Sequence, residues 1–563
     1  MKIVLKQALS MLLVILISVI KVNAQETTSE IQGLITVGNA GVAGATITVV
    51  HQPTGTKYVT TSRADGRYNL NNLKIGGPYL LQVSFVGMKT EKQDDINLTL
   101  GQTYKANFTL ADANSNLKEV VVSSNKQDKV FNNARTGSQE TFNRNQITSL
   151  PTISRSYKDI IKLTPTYNSG SFGGQSSQLN NITIDGANFN NSFGLSGDIG
   201  GQTGQNPVSL DAIEQIQVNT SPFDVKNGGF VGGGINSVTR SGNNTYSGSV
   251  YQYFKNKDWQ GYEVNGAPYT ITVPKQDYSY DLKGFTASGA IIKNKLFIFV
   301  NGEQESNTTP GTTWQASTAS NPANGTTISA ANADSLNKLA SFLKSKYNYD
   351  PGTYQGYSYV ASSKRLTAKI DWNIDANNTF TFKYNYLKSS NQIPPSNSGS
   401  ASTRQAGVTA LPFYGAGYEI NNNANIFIAE LNTKFSNSVS NKLQVGYTAL
   451  RDYRNALTSN ANFPMVDILD GNGKPFTSFG HELFTYGNKL NTDVYQFNDN
   501  LSIYAGKHEI TIGTQTSFKK YLNGFSPNYQ GTFRFASMND FINSANGLGT
   551  KSVEYSLSYT LGS

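Results

Sequence analysis

Two stretches of strict alternation limit what this chain can become. Leu366, Ala368, Ile370, Trp372 and Ile374 fall on one face of an extended segment, and Arg365, Thr367, Lys369, Asp371 and Asn373 on the other. A turn over residues 375–378 reverses the chain, and then Phe380, Phe382, Tyr384 and Tyr386 alternate with Thr379, Thr381, Lys383 and Asn385. Side chains of a strand point to opposite faces with period 2, so each arm has one apolar and one polar face. Apolar-out, polar-in strands of about 10 residues joined by tight turns are what a membrane-spanning barrel needs. The pattern recurs less cleanly around Ser436 (Phe427, Ala429, Leu431, Phe435; Leu443, Val445, Tyr447). It recurs again around Gly506 (Tyr495, Phe497, Leu501, Ile503; Ile510, Ile512). An earlier hairpin turns at Lys293-Asn294, with Phe297 and Phe299 following. It is apolar on both faces, and alternation does not assign them.

Between these hairpins lie long polar stretches, 307–362, 388–423 and 455–491. Short turns alternating with long loops match the periplasmic and extracellular sides of such barrels. The first loop contains a predicted helix over 334–347, with Leu336, Leu339, Phe342 and Leu343 on one face, as for internal packing. Asp470-Gly-Asn-Gly473 lacks the remaining ligands of an EF-hand loop and reads as a turn.

The chain begins with a targeting segment. Lys2 and Lys6 precede an apolar run over 8–20, and Val22-Asn23-Ala24 supplies small residues for cleavage. Residues 1–24 are therefore expected to be a secretory signal peptide, with Gln25 the mature N-terminus; the run is too short to span a bilayer as a helix. There is no cysteine among the 563 residues, which excludes a disulfide framework and a cysteine metal site. Three histidines leave little scope for a His-rich metal centre. The net charge of +9 includes three leader lysines, and the rest is scattered, so no nucleic-acid footprint is expected. An exported chain with 31 Tyr, 29 Phe and 52 Gly points to β structure.

From 31 to 110, β-prone runs alternate with turn signals: 31–37, 45–51, 56–62, 67–70, 79–86 and 104–110. Asp65-Gly66 predicts a hairpin between two of them, and the whole reads as a small β-sandwich. The arrangement GVAGATITVV…TGT…TSRADGRYNL…PYLLQVSFVGM resembles the carboxypeptidase-regulatory-like domain, a transthyretin-like sandwich that is non-catalytic in its relatives. His51 has no His/Glu companions at zinc-ligand spacing.

A polar linker, 111–116, leads into Leu117, Lys118, Glu119, Val120, Val121 and Val122. An isolated β-prone hexamer in polar surroundings suits pairing with an external sheet edge. Beyond it, Ser156-x-x-Asp159 predicts a capped short helix, Asn181-Ile-Thr-Ile-Asp-Gly186 a strand with its turn, and Ser209 the cap of a brief helix before a strand at 214–218. The stretch from Gly228 to Asn244, GGFVGGGINSVTRSGNN, fits neither GxGxxG nor a P-loop. It reads as a glycine-rich turn joining strands, open to close approach by other segments. The succession SLPTISRSYKDIIKLTP, NNITIDGANFNN and AIEQIQVNTSPFDVKNGGFVGGGINSVTRSGNN resembles the plug of TonB-dependent outer-membrane receptors, in the Oar-type branch that carries an extra N-terminal sandwich.

That resemblance implies a mainly β protein: sandwich at 25–111, linker with a TonB-box-like segment at 112–134, α+β plug at 135–243 and antiparallel transmembrane barrel at 244–563. It implies a plug motif with structural or gating roles at Asp185, Gly186, Asp224, Gly228, Gly229, Gly232, Gly233, Gly234, Asn236 and Arg240. Taken one by one, Asp185, Asp224 and Arg240 also suit ordinary turn stabilisation. It further implies an outer-membrane location in a Gram-negative bacterium, the N-terminal domain in the periplasm, and import driven by a TonB-type energy-coupling protein. Outer-membrane lipid and a surface lipoprotein are further expected partners. The competing expectation is an adhesion or structural role on the same fold. No catalytic constellation, metal site or cofactor motif stands out, so an enzyme is not expected.

Roughly 10 barrel strands are counted, against 22 in plugged transporters. The backbone radius is about 10 Å for 10 strands and about 22 Å for 22. A 100-residue globule has an envelope near ~17 Å and fits only the larger. The barrel is therefore expected to be incomplete in this chain, as an N-terminal portion of a longer protein.

Overall fold

In a computed structural model the described residues are 26–113, 139–152, 154–168, 170–220, 231–259, 277–458, 460 and 462–559, with backbone alone for 263–266 and 269–272. The N-terminal sandwich has two sheets. In one, Ser29–Val37 pairs antiparallel with Arg67–Leu73 and parallel with Thr103–Lys105 and Phe108–Thr109. In the other the order is Thr56–Thr61, Thr46–His51, Gly76–Ser84, Glu91–Leu98. Inward residues of both sheets, among them Ile31, Ile35, Ile47, Val49, Leu81 and Val83, close a common core.

Two features of the sandwich depart from the sequence reading. Asp65-Gly66 does not close a hairpin: Thr56–Thr61 and Arg67–Leu73 belong to different sheets, and the turn carries the chain across the core. Gly66 has φ +80, as a tight reversal requires. Glu91–Leu98 was not expected as a strand. It is an edge strand whose Lys92, Asp94 and Asp95 are exposed, and charge on an edge is how sheets avoid pairing with other chains. Charge hid it from a hydrophobic pattern.

Nine long strands follow, each the antiparallel neighbour of the next. They are Ser247–Asn256, Ser279–Ile292, Leu296–Pro310, Ser358–Asn373, Asn378–Ile393, Tyr418–Ser436, Val439–Ala456, Lys489–Ala505 and His508–Gly524. The first and last are paired on one side only among the described residues. The sheet wraps a central globule with polarity reversed from that of a soluble protein. Lys369, Lys383 and Glu430 on its inner face are at most 5% exposed, while Val250, Ile512 and Phe518 on the outer face are 60% or more exposed. Tyr384, Phe427, Tyr447 and Tyr495, register partners on four adjacent strands, form a continuous outer row of rings at 4.8, 6.4 and 5.0 Å. Such aromatic bands suit the membrane interface.

The hairpin at Lys293-Asn294 is apolar on both faces for a packing reason. Phe297 and Phe299 point inward and are fully buried; Phe299 joins the core of the globule. Strands run to 19 residues rather than about 10, so their upper ends stand beyond the apolar band and carry the long loops.

Those loops are not separate polar excursions. They share one core, with Leu336, Leu339 and Leu343 of the helix Ala333–Tyr347 packed on Phe413, Phe463 and Phe479. A small sheet of Pro475–Phe479, Met465–Leu469, Thr532–Phe535 and Glu554–Ser556 joins the third of these loops to the stretch after Gly524. Arg404, fully buried, meets Asp467 through two hydrogen bonds of 2.8 Å and donates to the Ser396 and Ser398 carbonyls. At Asp470 the carboxylate accepts from the backbone N–H of Asn472 and Lys474, which makes this stretch a turn.

Ile370 faces lipid between the polar Lys369 and Asp371. Ile370→Lys is expected to cost up to about 2–4 kcal/mol of insertion free energy; urea titration of protein folded into liposomes would measure it. A second outcome concerns His51, which is buried against the Tyr79 ring and bonded to the Thr54 hydroxyl at 2.7 Å. Burial, helped by nearby Lys74 and opposed by Asp371, lowers its pKa to about 3. A depressed histidine pKa means that the unfolded state binds the extra proton. Stability is then complete above the ordinary value of 6.5 and is lost as pH falls from there toward 3. The thermal midpoint of the sandwich should drop between pH 7 and pH 5, and His51→Gln should flatten that dependence.

Candidate functional site at the seam between globule and wall

The globule is built on a five-stranded sheet, ordered Gln139–Asn143, Ile213–Asn219, Gly234–Thr239, Asn181–Ile184, Ala187–Asn188. Its helix Tyr157–Ile161 starts at Ser156, with both halves of the capping box to Asp159 formed. Ser209 caps the brief helix Leu210–Ala212, from which Ile213–Asn219 continues. The glycine-rich stretch is not simply a turn between strands: Gly234–Thr239 is a fully buried strand, parallel to Asn181–Ile184. A Cβ on Gly232 would lie 2.5 Å from Asn180 Oδ1, and one on Gly233 would lie 2.3 Å from the Phe172 ring. Close approach, not turning, is what these two glycines provide.

Asp185 sits at the tight turn after Asn181–Ile184, with φ +53 and no exposed surface. Its carboxylate accepts from the Thr239 N–H at 3.0 Å and the Thr239 hydroxyl at 2.6 Å. Across the seam, Lys383 Nζ lies 3.4 Å and Lys369 Nζ 3.9 Å from Asp185 Oδ1. Lys369 also donates to the Thr239 carbonyl at 3.0 Å, and Gln444 to the Asp185 carbonyl at 3.0 Å. Gly186 is pressed on Gln444, where a Cβ would lie 2.6 Å from the amide nitrogen. A buried carboxylate is tolerable only with such partners, and here the wall supplies the opposite charge.

The seam is polar elsewhere too. Asp211 holds Arg155 at 2.5 Å and Arg144 at 3.2 Å, and the Arg155 guanidinium stacks 4.0 Å from the Tyr253 ring on the wall. Arg365 pairs with Glu303 at 3.0 Å and with Glu305, and donates to the Asn206 carbonyl of the globule at 3.3 Å. The Thr203 and Ser389 hydroxyls meet at 2.9 Å. One apolar patch interrupts this, where Leu387, Ala424, Ile426, Ile428 and Leu450 join the globule core.

The residues singled out in the sequence divide accordingly. Asp185 and Gly186 meet the wall at one place. Asn236 lies one strand over, accepts from the Thr183 hydroxyl at 3.1 Å, and donates to the Glu26 carbonyl at 2.6 Å. Arg240 lies apart from both, its guanidinium 5.3 Å from the Phe299 ring. Asp224, Gly228, Gly229 and the hexamer Leu117–Val122 lie outside the described residues. Sequence reasoning missed the partners Lys369, Lys383 and Gln444. Their signal was present, as charged or polar side chains on the face of an alternating strand turned away from lipid, but nothing local says what they face.

The outer membrane beta barrel domain matches residues 238–557, and the carboxypeptidase regulatory-like domain matches 30–111. The chain belongs to the outer membrane beta barrel family. It is a Gram-negative outer-membrane protein. Among curated relatives it is similar to the TonB-dependent transporter Oar of Myxococcus xanthus, 25% identical over 257 residues, which is 44% of this chain and 23% of that one. Among solved structures it is similar to the outer membrane transporter YddB of Escherichia coli, at 12% identity and TM-score 0.49, covering 74% of this chain and 51% of that one. It is also similar to the siderophore receptor PirA of Acinetobacter baumannii, at 15% identity and TM-score 0.42, covering 68% and 48%. The chain thus spans about half the length of these solved chains and about a quarter of the curated relative.

Asp185→Asn keeps a side chain that tolerates positive φ but removes the charge facing Lys369 and Lys383. Stranding buried charge should cost about 3–5 kcal/mol, read as tryptic cleavage after Arg240 beginning at a lower urea concentration.

Proposed function

We propose that this protein imports a ligand across the outer membrane, with energy supplied from the inner membrane through a TonB-type protein. The observation that carries this reading is the seam. A globule fills the interior of a lipid-facing wall and is held there largely by ion pairs and hydrogen bonds, with Asp185 against Lys369 and Lys383 at its centre. Polar contacts of that kind can be exchanged for water one at a time, so the globule can be remodelled without unfolding the wall. Similarity to a TonB-dependent transporter supports the same direction. In this reading Leu117–Val122 is the segment that a TonB-type protein engages by adding a strand. Asp185, Gly186, Asp224, Gly228, Gly229, Gly232, Gly233, Gly234, Asn236 and Arg240 hold or release the globule.

A second reading, surface adhesion without pumping, draws on one observation. The long loops fold on a shared core with a buried Arg404–Asp467 pair, which gives a rigid outer face suited to holding a partner at the cell surface.

Val121→Pro removes a backbone donor and fixes φ. Under the import reading it abolishes TonB-dependent uptake while ligand binding persists. Uptake that continues in this variant, or growth on candidate nutrients indifferent to loss of TonB, would favour the adhesive reading.

A further inference from the structure

The N-terminal sandwich is not tethered loosely below the barrel; it is bonded to the wall and to the globule at once. Its edge strand Thr56–Thr61 lies along the rim of short turns. Asn373 donates to the Thr56 hydroxyl at 2.8 Å, Lys434 to the Val59 carbonyl, and Asn437 to the Thr61 hydroxyl at 2.6 Å. The end of the strand Arg67–Leu73 and the residue after it add more. Lys74 pairs with Asp371 at 3.1 Å, Asn71 donates to the Ser440 hydroxyl at 2.9 Å, and Asn72 donates to the Asn441 carbonyl. Tyr504 donates to Asn71 at 2.7 Å.

The same domain grips the globule from below. Gln215 bonds the Leu100 N–H and the Leu98 carbonyl, and Gln217 donates to the Leu100 carbonyl at 2.7 Å. Ile75 and Leu100 of the sandwich bury Val238 of the globule. The segment leading into the sandwich enters the seam itself. Thr27 is buried, donates to Glu430 at 2.8 Å and accepts from Lys442 at 2.5 Å, one residue after the carbonyl that Asn236 holds.

We propose that the sandwich is an autoinhibitory stopper: it closes the lower mouth of the barrel and locks the globule to the wall, so the globule moves only after the sandwich undocks. The physical reason is steric as well as energetic. A globule leaving toward the short turns meets a folded domain bonded to both sides of its exit. Loosening the seam at Asn236 also strains the Thr27 segment tied to Glu430 and Lys442. The edge strand Thr56–Thr61, covered by the rim when docked, becomes a free sheet edge on release.

The chain has no native cysteine, so engineered pairs report cleanly. Hydrogen exchange of Ile213–Asn219 and Gly234–Thr239 would be followed by mass spectrometry on the purified full chain in mild urea, with no ligand and no TonB. Lys74→Met combined with Asn71→Ala, and separately Tyr504→Phe on the wall side, should speed exchange in both globule strands, by roughly tenfold or more for the double variant. The core strands Thr46–His51 and Gly76–Ser84 should stay protected, showing that the sandwich remains folded. Asn71→Cys with Ser440→Cys, bridged by dibromobimane, should slow exchange in the globule below the unbridged level. Globule exchange indifferent to both the loosened and the bridged forms would overturn the proposal. So would failure of the bridge to form in folded protein, since the docked arrangement would then not be populated. Failure of the Val121→Pro uptake experiment leaves this result unaffected, because neither ligand nor energy coupling enters it.

Discussion

The contact between Asp185 and the two wall lysines needs the turn of the globule and the strands of the wall in place together. A carboxylate with no exposed surface is stable only if counter-charge and hydrogen-bond donors reach it. Thr239 brings donors from the next strand of the globule, and Lys369 and Lys383 bring charge from two adjacent strands of the wall. Those lysines can face inward only because Ile370 and Phe382, one position away on the same strands, face lipid. Alternation in the wall and the turn in the globule are therefore two halves of one electrostatic arrangement.

The same economy explains why the wall has a polar lining at all. A barrel interior filled by apolar side chains would weld the globule in place. The lining here is mixed: an apolar patch around Leu387, Ile426 and Ile428 gives adhesion, while the Asp185, Asp211 and Arg365 clusters give register and orientation. Buried charges are unforgiving of misplacement, so they fix how the globule sits more than they add to how strongly it is held. Below, the sandwich extends this logic to a third body through Lys74–Asp371 and through Thr27 between Glu430 and Lys442. Above, the loops close on a core of their own. The outer and inner faces of the wall's mouth are thus both ordered, by different chemistry: aromatic packing outside, hydrogen bonds to turns inside.

Much of this was legible in the chain. Period-2 alternation at 365–386 gave the lipid and lumen faces residue by residue, because pleating leaves no choice of side once the strand is formed. The capping box at Ser156 and Asp159 and the strand at Asn181–Ile184 followed from local hydrogen-bonding rules. Local rules failed where a segment's role is set by its neighbours. Glu91–Leu98 is a strand because it is an edge, Asp65-Gly66 switches sheets because Arg67–Leu73 finds its partner in Ser29–Val37, and Phe297 and Phe299 face inward because a globule is there to receive them.

The sequence by itself determined the class of fold and, along the alternating hairpins, which side chains meet lipid, since both follow from periodicity and from the cost of exposing backbone and charge to hydrocarbon. Only the tertiary structure decided which charges meet. Asp185 and Lys383 are nearly two hundred residues apart in the chain, and no spacing rule links a turn in one domain to a strand in another. Only the tertiary structure, likewise, set the sandwich against the rim. Its contacts with the rim are hydrogen bonds from asparagines, Lys434 and Tyr504 and one Lys74–Asp371 ion pair, and their meaning lies wholly in what stands opposite.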